Sequence, residues 1–370
     1  MIRKKEEQTN RFSKASGRWS GLGPYYAMFP VDFASQVVAK YSKPGHRVLD
    51  PFAGRASSVF AAASENRIGL GIEINPVGWV YGKSKLNPAP KEKVLARLKE
   101  INAKASDFDS AAAQLPEFFQ YCFAPKVLAF LLSARYHLAW KTEQVDTTLM
   151  SIILVYLHGK HGQALSNQMR QTKAMSPEYS IRWWKENNSV PPDMDSVEFL
   201  TERINWRYAK GAPRSPYSRV ILGDSISVLK RLKYSVKEGK RYDLLFTSPP
   251  YYNLANYHYD QWLRLWMLNG PDTPTSMGSK WQGKFSSTVN YQQLLNEVFS
   301  ASSEILNPNA VVYVRTDARE FTFKATVKAL KEAFPGKRMR TVRRPFPKAT
   351  QTALFGDKAS KPGEIDIILQ

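Results

Sequence analysis

The stretch RVLDPFAGRASSVFAAASENRIGLGIEIN, residues 47–75, indicates the fold of this chain. Its runs Arg47–Asp50 and Arg67–Asn75 predict two short strands, and the small residues of Ser57–Ser64 predict a helix between them. Pro76 then opens a second helix. This alternation is typical of an α/β fold with helices packed on a mostly parallel sheet.

The rest of the chain divides into a helical block and a second strand-rich region. Residues 91–215 show long helical periodicity and little strand character, which predicts a helical insertion between the two halves of one sheet domain, 1–90 and 216–370. With the insertion left out, about seven strands are expected in one open sheet. The further elements expected are strands Arg219–Asp224, Tyr242–Thr247, Ala310–Asp317, Met339–Phe346 and Glu364–Leu369, and helices Tyr259–Leu268, Tyr291–Leu306 and Phe321–Phe334.

The charge of the chain is strongly basic. The 370 residues include 53 lysines and arginines against 32 aspartates and glutamates, a formal net charge of +21. Such an excess attracts polyanions, and each phosphate neutralised releases counterions. We therefore expect nucleic acid as the partner. An anionic membrane is the alternative, but the sequence has no run of about 18 apolar residues and no signal-peptide core.

The core-forming residues and the cysteine content exclude other classes. Hydrophobic residues make up 43% of the sequence, which is enough for a packed core and excludes a disordered chain. Cys122 is the one cysteine, so neither a disulfide framework nor a zinc site built on cysteine pairs is expected. A lone thiol suits a reducing compartment, and we expect a cytoplasmic protein. His158 and His161 have no third ligand nearby in sequence, so no metal site is predicted.

Three polar motifs follow predicted strands, where open α/β sheets bind their ligands. The first, DPFAG, begins at Asp50, and its Gly54 allows close approach of a ligand to the backbone. The second, GIEIN, contains Glu73, which can accept hydrogen bonds from both hydroxyls of a ribose. The third, LGDS, contains Asp224, which can accept from an adenine amino group. Each has a simpler interpretation, since Asp50 and Asp224 suit helix caps and Glu73 suits a solvated strand end.

The fourth motif, TSPPYYN at 247–253, is more specific. Two prolines at the end of a buried strand fix the backbone and remove two N–H donors. The carbonyl groups of Ser248 and Pro249 can then accept hydrogen bonds from an exocyclic base amine, which frees the nitrogen lone pair for attack. Tyr251 can hold the base by stacking, worth about 1–3 kcal/mol. The alternative is a rigid loop start without chemistry.

Together the first and fourth motifs resemble the amino-group DNA methyltransferases, which methylate cytosine N4 or adenine N6 with S-adenosylmethionine. The resemblance covers roughly residues 24–86 and 216–320. It implies a Rossmann-like, seven-stranded sheet with an antiparallel last strand, and direct methyl transfer without a covalent enzyme intermediate. It also makes the insertion at 91–215 the candidate for target recognition. The residues that it implies for cofactor binding are Phe29, Pro30, Asp50, Pro51, Phe52, Ala53, Gly54, Glu73, Asp224 and Ser225, and those for holding the target amine are Ser248, Pro249, Pro250 and Tyr251.

The chain departs from the family pattern directly after the first motif. The family usually continues with Gly-Ser-Gly, whereas this chain has Gly54-Arg55-Ala56. Ala56 replaces a glycine where the backbone approaches the cofactor, and its methyl group costs little if its φ angle stays negative. Arg55 adds bulk and charge, which puts the cofactor affinity in question.

The resemblance also bears on the target base. Members with Ser at the first position of the catalytic motif mostly act on cytosine N4, and those with Asp or Asn mostly act on adenine N6. Ser248 therefore favours cytosine, which must leave the stack of duplex DNA before methylation. A restriction-modification setting with a cognate endonuclease is expected. The alternatives are adenine-N6 DNA methylation, RNA amine methylation and a non-catalytic DNA-binding subunit.

The candidates for DNA contact are basic residues beside aromatic side chains or in polar loops. A solvated surface is the simpler interpretation of each, and core packing suits the tryptophans at 183 and 184 better than base stacking does. The candidates are Arg182 and Lys185 near those tryptophans, Lys280 and Lys284 in the loop Asn269–Asn290, and Arg343 and Arg344 near the end of the chain.

Overall fold

The computed structural model describes residues 14–24, 29–236, 240–253, 257–274, 287–344 and 363–370. In these ranges seven strands form one sheet. They are β1 (Arg47–Asp50), β2 (Ile68–Glu73), β3 (Arg219–Leu222), β4 (Tyr242–Thr247), β5 (Leu306–Asp317), β6 (Met339–Arg344) and β7 (Glu364–Leu369). Their order across the sheet is β3-β2-β1-β4-β5-β7-β6.

The direction of the strands gives the sheet its class. Strands β3, β2, β1, β4 and β5 pair in parallel, and β7 is antiparallel to both β5 and β6. This arrangement confirms the predicted Rossmann-like methyltransferase sheet and its antiparallel last strand. The strand order reverses between β1 and β4, and this switch point is where open α/β sheets bind ligands.

Helices cover both faces of the sheet. One face carries a core built on β-strand residues such as Leu49, Leu245 and Val312 together with three helices, and the other carries Val48, Leu244 and Phe246. None of the helices in the described ranges has the length and apolar character needed to span a bilayer. The helices of the sheet region are α1 (Ala15–Ser20), α2 (Val31–Tyr41), α3 (Ser57–Ser64), α4 (Pro76–Leu86), α12 (Ser225–Ser235), α13 (Tyr257–Asp260), α14 (Trp262–Met267), α15 (Thr288–Ser303) and α16 (Glu320–Ala333).

The block between α4 and β3 is helical, as the periodicity predicts. Its buried residues share one continuous hydrophobic cluster with α3, α4 and α14, so the block packs directly against the sheet region. Its limits as a separate domain remain a prediction. The α-helices of the block are α5 (Lys91–Ala103), α6 (Asp109–Ala113), α7 (Glu117–Cys122), α8 (Pro125–His137), α9 (Gln144–Tyr156), α10 (Pro177–Glu186) and α11 (Ser196–Tyr208).

Several predicted boundaries differ from the structure, and two of the differences have a structural reason. The expected single helix Tyr259–Leu268 is two short helices, α13 and α14, separated at Gln261. There the Gln261 side chain donates to the carbonyl of Thr172 in the helical block, a long-range contact that the local pattern does not contain. The expected strand Ala310–Asp317 begins earlier, at Leu306, because that residue pairs with Tyr242 beyond a register shift.

Candidate active site at the carboxyl edge of the sheet

The four polar motifs meet at the carboxyl ends of the neighbouring strands β3, β2, β1 and β4. Hydrogen bonds join them across the edge. The N–H of Gly223 donates to the carbonyl of Glu73 over 2.9 Å, and the N–H of Gly54 donates to Glu73 Oε2 over 2.6 Å. Thr247 Oγ1 donates to Asp50 Oδ1 over 2.6 Å. The residue before Ser248 is therefore bonded directly to the first residue of the DPFAG motif.

Asp50 is a buried carboxylate with three internal donors. It accepts from the N–H of Phe52 and from the hydroxyl groups of Ser58 and Thr247. Burial raises the pKa of Asp50 to about 6, although these hydrogen bonds favour the ionised form. Asp50 thus organises the turn after β1 and ties it to β4, and it does not cap a helix as in the simpler interpretation.

Thr247→Val should destabilise the protein by about 1–3 kcal/mol, because it removes one donor to a buried carboxylate without changing the side-chain volume much. The threonine is fully buried. Urea unfolding followed by tryptophan fluorescence measures the loss. Thr201→Val, at a partly exposed helical position, is the matched control. Equal stability of the two variants would contradict the structural role of the Thr247 hydroxyl.

Glu73 is the second buried carboxylate of the edge. Its Oε1 accepts from the N–H of Asn75 over 2.7 Å, and its Oε2 accepts from the N–H of Gly54. Burial raises the pKa of Glu73 to about 8; the charge of Asp50 adds to this, while the two N–H donors oppose it. A ligand that brings hydroxyl donors to these oxygens would stabilise the ionised form, so the site fits the ribose of S-adenosylmethionine.

The turn after β1 is strained in a way the sequence did not indicate. Gly54 and Ala56 both lie in the left-handed region, with φ angles of 53° and 60°. The condition under which the methyl group of Ala56 costs little, a negative φ, is therefore not met: the methyl group occupies the conformation that favours glycine. A side chain at Gly78 would lie 2.7 Å from the carbonyl oxygen of Gly54, so α4 packs tightly under this turn. Arg55 is buried and donates to the carbonyl of Gly23 over 2.9 Å.

The third motif lies beside the first. Ser225 is buried and its hydroxyl donates to the carbonyl of Pro51, which links the two loops. Asp224 caps α12, since its Oδ1 accepts from the N–H and the hydroxyl of Ser227, each over 3.0 Å. The helix-cap interpretation of Asp224 is thus observed, and its contact with adenine remains a prediction.

Phe29 and Pro30 lie next to β4. The ring of Phe29 stacks on Phe246 at 4.6 Å between centroids and is 8% exposed, so it anchors the start of α2 to the sheet. Pro30 is exposed and precedes the first residue of that helix. Their role at the methionine end of the cofactor stays a prediction. Phe52 and Ala53, also predicted for cofactor binding, lie in the turn with Pro51 and are partly or fully buried.

The SPPY segment begins where β4 ends. Ser248 and Tyr251 face each other, with Oγ and the phenolic oxygen 3.5 Å apart. The carbonyl of Pro250 accepts from the hydroxyl of Tyr291 over 3.0 Å. No donor within the described ranges reaches the carbonyl oxygens of Ser248 or Pro249. These two carbonyls are therefore available to an incoming amine.

The hydroxyl of Tyr251 is bonded to a network of charged side chains. It donates to Glu364 Oε1 over 3.0 Å, and Arg315 pairs with that carboxylate over 3.1 Å. Arg315 also pairs with the buried Asp366 over 2.7 Å. Burial raises the pKa of Glu364, while Arg315 opposes the shift. The sequence analysis missed this network. The sequence feature that could have indicated this network is EIDIIL, Glu364–Leu369, in which two carboxylates stand in an otherwise apolar strand.

The predicted DNA contacts are spread over the surface. Arg182 is exposed on α10 with its guanidinium 5.8 Å from the ring of Tyr179. Lys185 is exposed and pairs with Glu117 over 2.8 Å. On β6, Arg343 is exposed, and Arg344 pairs with Asp366 over 3.0 Å. Lys280 and Lys284 lie outside the described residues, as do residues 275–286 of the expected loop. Trp184 is buried in the core, as expected, and Trp183 is partly buried.

Residues 2–77 match the model of the N6_N4_Mtase family, described as DNA methylase. This match confirms the resemblance to the amino-group DNA methyltransferases in the segment that holds the first two motifs. Together with the strand order it supports an S-adenosylmethionine-dependent methyltransferase. S-adenosylmethionine is the cofactor that the resemblance implies. No group of three metal-binding side chains occurs in the described part of this chain.

The solved structures that are similar to this chain are distant from it in sequence. A TehB-like SAM-dependent methyltransferase from Corynebacterium glutamicum shares 7% identity at a TM-score of 0.34, with 91% of this chain and 86% of that chain covered. A SAM-dependent methyltransferase from Agrobacterium tumefaciens shares 11% at 0.36, with 92% and 59% covered. The rRNA methyltransferase aviRa from Streptomyces viridochromogenes shares 11% at 0.34, with 94% and 89% covered. Such scores carry no conclusion about substrate. Among curated proteins, none matches the sequence significantly.

Proposed function

We propose that this methyltransferase acts on DNA and transfers the methyl group to the exocyclic N4 of cytosine, with Ser248, Pro249, Pro250 and Tyr251 holding the amine. The observation that carries the proposal is the hydrogen bond from Thr247 to Asp50, which joins the SPPY segment to the cofactor motifs. The DNA methylase match over residues 2–77 supports DNA as the substrate. Ser at position 248 favours cytosine by the family resemblance.

The site residues act on the amine by hydrogen bonding. The carbonyls of Ser248 and Pro249 accept the two amine hydrogens, which draws the nitrogen toward tetrahedral geometry and makes its lone pair available. S-adenosylmethionine supplies a methyl group on a sulfonium. The nitrogen would bond to this methyl carbon as the carbon–sulfur bond breaks, the electron pair of that bond would leave with the sulfur as a neutral thioether, and one amine proton would pass to solvent water. Alignment and carbonyl dipoles facing the developing positive charge supply the rate enhancement.

Each residue predicted for cofactor binding has a proposed role that is consistent with its contacts. Glu73 receives the ribose hydroxyl groups, and Gly54 with its neighbours Pro51, Phe52 and Ala53 forms the wall of the turn. Asp50 acts as a positioning residue, because three internal donors already surround it. By the family resemblance, Asp224 and Ser225 would border the adenine, and Phe29 with Pro30 would border the methionine end.

Nucleoside mass spectrometry tests the function. Unmethylated bacterial genomic DNA is incubated with the protein and S-adenosylmethionine, digested and analysed. We expect N4-methylcytosine. N6-methyladenine alone would contradict the cytosine assignment, and transfer of label to tRNA but not to DNA would favour an RNA amine methyltransferase. Absence of any transfer together with absence of cofactor binding would support a non-catalytic DNA-binding subunit. The restriction-modification setting and its endonuclease remain predictions from the resemblance.

Glu364→Ala should lower the turnover number by about 10- to 100-fold with little change in cofactor affinity, because an unsupported catalytic side chain loses its alignment. Glu364 touches the hydroxyl of Tyr251 and holds it in place. Glu364→Gln retains an acceptor for that hydroxyl and should restore most of the activity. Steady-state kinetics and calorimetry with the cofactor measure the two quantities. Equal losses in the Ala and Gln variants would argue against a positioning role.

A further inference from the structure

A groove of about 910 Å³ lies on the helical block, and none of its lining residues belongs to the four motifs. The end of α9, the connecting chain between α9 and α10, and one side each of α10 and α11 form its walls. Its volume is within the range of ligand-binding clefts, roughly 300–1,000 Å³. The family match ends at residue 77, so the groove lies outside the matched segment.

The charge of the groove has one sign. Lys160, Arg170 and Arg203 line it, and no aspartate or glutamate does. Arg203 also pairs with its sequence neighbour Glu202 over 3.1 Å, and Glu202 is not one of the lining residues. Lys160 and Arg170 are exposed, and the guanidinium of Arg203 lies 4.4 Å from the ring of Phe199. Three cations without a carboxylate among the lining residues are complementary to a run of phosphate groups. An acidic protein would also be attracted to these cations. The aromatic side chains of the groove favour the bases of a nucleic acid instead.

Aromatic rings supply the second feature of the groove. Tyr179 and Trp183 stand one helical turn apart on α10, so their side chains share one face of the helix. Tyr179 is 43% exposed, which is unusual for a large aromatic side chain in this protein. Flat rings beside cations form the surface on which successive bases of a nucleic acid strand stack.

The polar wall of the groove is held rigidly. Gln168 lies on it, and the side-chain oxygen of this residue accepts from the N–H of His161 over 2.8 Å. The preceding residue, Asn167, is fully buried and bonds through its amide group to Tyr121, Ser189 and Gln168. The carboxamide at the groove is therefore fixed before any ligand binds, a condition for reading base edges.

The groove is attached to the chain that follows the catalytic motif. Arg264 Nη2 donates to the carbonyl of Gln171 over 2.6 Å, and Trp262 Nε1 donates to that of Met175 over 3.1 Å. Both acceptors belong to groove-lining residues. Asp260 pairs with Lys173 over 2.8 Å in the same stretch. Helices α13 and α14, which make these contacts, begin four residues after Asn253. The wall of the groove and the SPPY segment are thus linked through one short piece of chain.

We propose that this groove binds a strand of the DNA substrate, with phosphates on Lys160, Arg170 and Arg203 and bases on Tyr179 and Trp183. The inference rests on the proposed function for the choice of DNA as the nucleic acid. It assigns target binding to the concave face between α10 and α11. The exposed Lys185, which is already paired with Glu117, lies outside the groove lining.

Three variants test the groove: Lys160→Glu, Tyr179→Ala and the control Lys99→Glu. Lys99 is an exposed lysine of the same helical block outside the groove, so it undergoes the same charge change. Fluorescence anisotropy with a mixed-sequence DNA, both as a duplex and as a single strand, is measured from low to moderate salt, and calorimetry reports cofactor binding.

Lys160→Glu should weaken duplex binding about tenfold at low salt and reduce the slope of log affinity against log salt by about 1. Tyr179→Ala should weaken binding of the single strand by about 5- to 100-fold with the salt slope unchanged. Lys99→Glu should change the affinity less than about twofold, and cofactor binding should be unchanged in all three.

The two proposals fail separately. If the wild-type protein methylates DNA and both groove variants bind duplex and single strand like the Lys99→Glu control, the groove proposal is overturned and the function stands. If the wild-type protein methylates RNA and not DNA, the proposed function fails, and DNA as the occupant of the groove fails with it.

Discussion

A double variant, Ser248→Ala with Tyr251→Ala, should lose methyl transfer by about three orders of magnitude, since one positioned hydrogen-bonding group alone is typically worth about 10²–10³ in turnover. The hydroxyl groups of the two residues lie 3.5 Å apart, directly after the strand that Thr247 ties to Asp50. Neither side chain contacts Glu73 or Asp224 in the described structure, so affinity for S-adenosylmethionine should stay close to that of the wild type.

The control for this variant is Tyr234→Ala, which truncates a tyrosine that is 89% exposed. Radioactive methyl transfer to DNA measures activity, and calorimetry measures cofactor binding. Unchanged activity in the double variant would remove the proposed amine site. A lost cofactor affinity would instead show that the two side chains belong to the cofactor pocket.

The second large effect concerns pH and Glu73. In the absence of cofactor, the free energy of unfolding should fall by about 4 kcal/mol between pH 5 and pH 9 through this one carboxyl. Burial raises the pKa of Glu73 from 4.5 to about 8. The folded state therefore binds the proton more tightly than the unfolded state, and this stabilisation is complete below the unfolded pKa and is lost as pH rises through about 8. Asp50 acts in the same direction at lower pH, because burial raises its pKa to about 6.

Glu73→Gln is the variant that tests this pH dependence. Its amide accepts only one of the two backbone hydrogen bonds, which should cost about 1–3 kcal/mol at pH 5. Its stability should then change much less than that of the wild type up to pH 9. Glu332→Gln, at an exposed position, should keep the wild-type profile. Urea unfolding at several pH values measures all three proteins, and parallel profiles for wild type and Glu73→Gln would refute the role of burial.

Much of the sheet was predictable from local patterns. β4 and β7 were predicted with their observed bounds, because each is a short apolar run: β4 ends at the proline-containing SPPY segment, and β7 begins directly after Gly363. The break at Gln261 was not predictable, since it depends on a contact with Thr172 that is 89 residues away in sequence. The positive φ of Ala56 was also missed, because alanine itself gives no sign of a left-handed backbone.

The motifs of the candidate site were predictable from the sequence, but the hydrogen bonds and ion pairs that connect them were not. The residues of DPFAG, GIEIN, LGDS and SPPY were identified from the sequence, and the parallel sheet brings them to one edge. The link from Tyr251 through Glu364 to Arg315 was not, because its two contacts join residues that are 113 and 49 positions apart in the chain. A local pattern carries no information about which distant strand becomes a neighbour.

The sequence by itself determined the class of sheet, the positions of its polar strand ends and the strongly basic character of the chain, because periodicity, turn residues and charge are local or additive properties. Only the tertiary structure decided which polar groups are buried without a counter-charge, that no donor among the described residues reaches the carbonyls of Ser248 and Pro249, and where cations and aromatic rings enclose a groove. These properties depend on burial and on contacts between distant segments, and they arise when the chain packs.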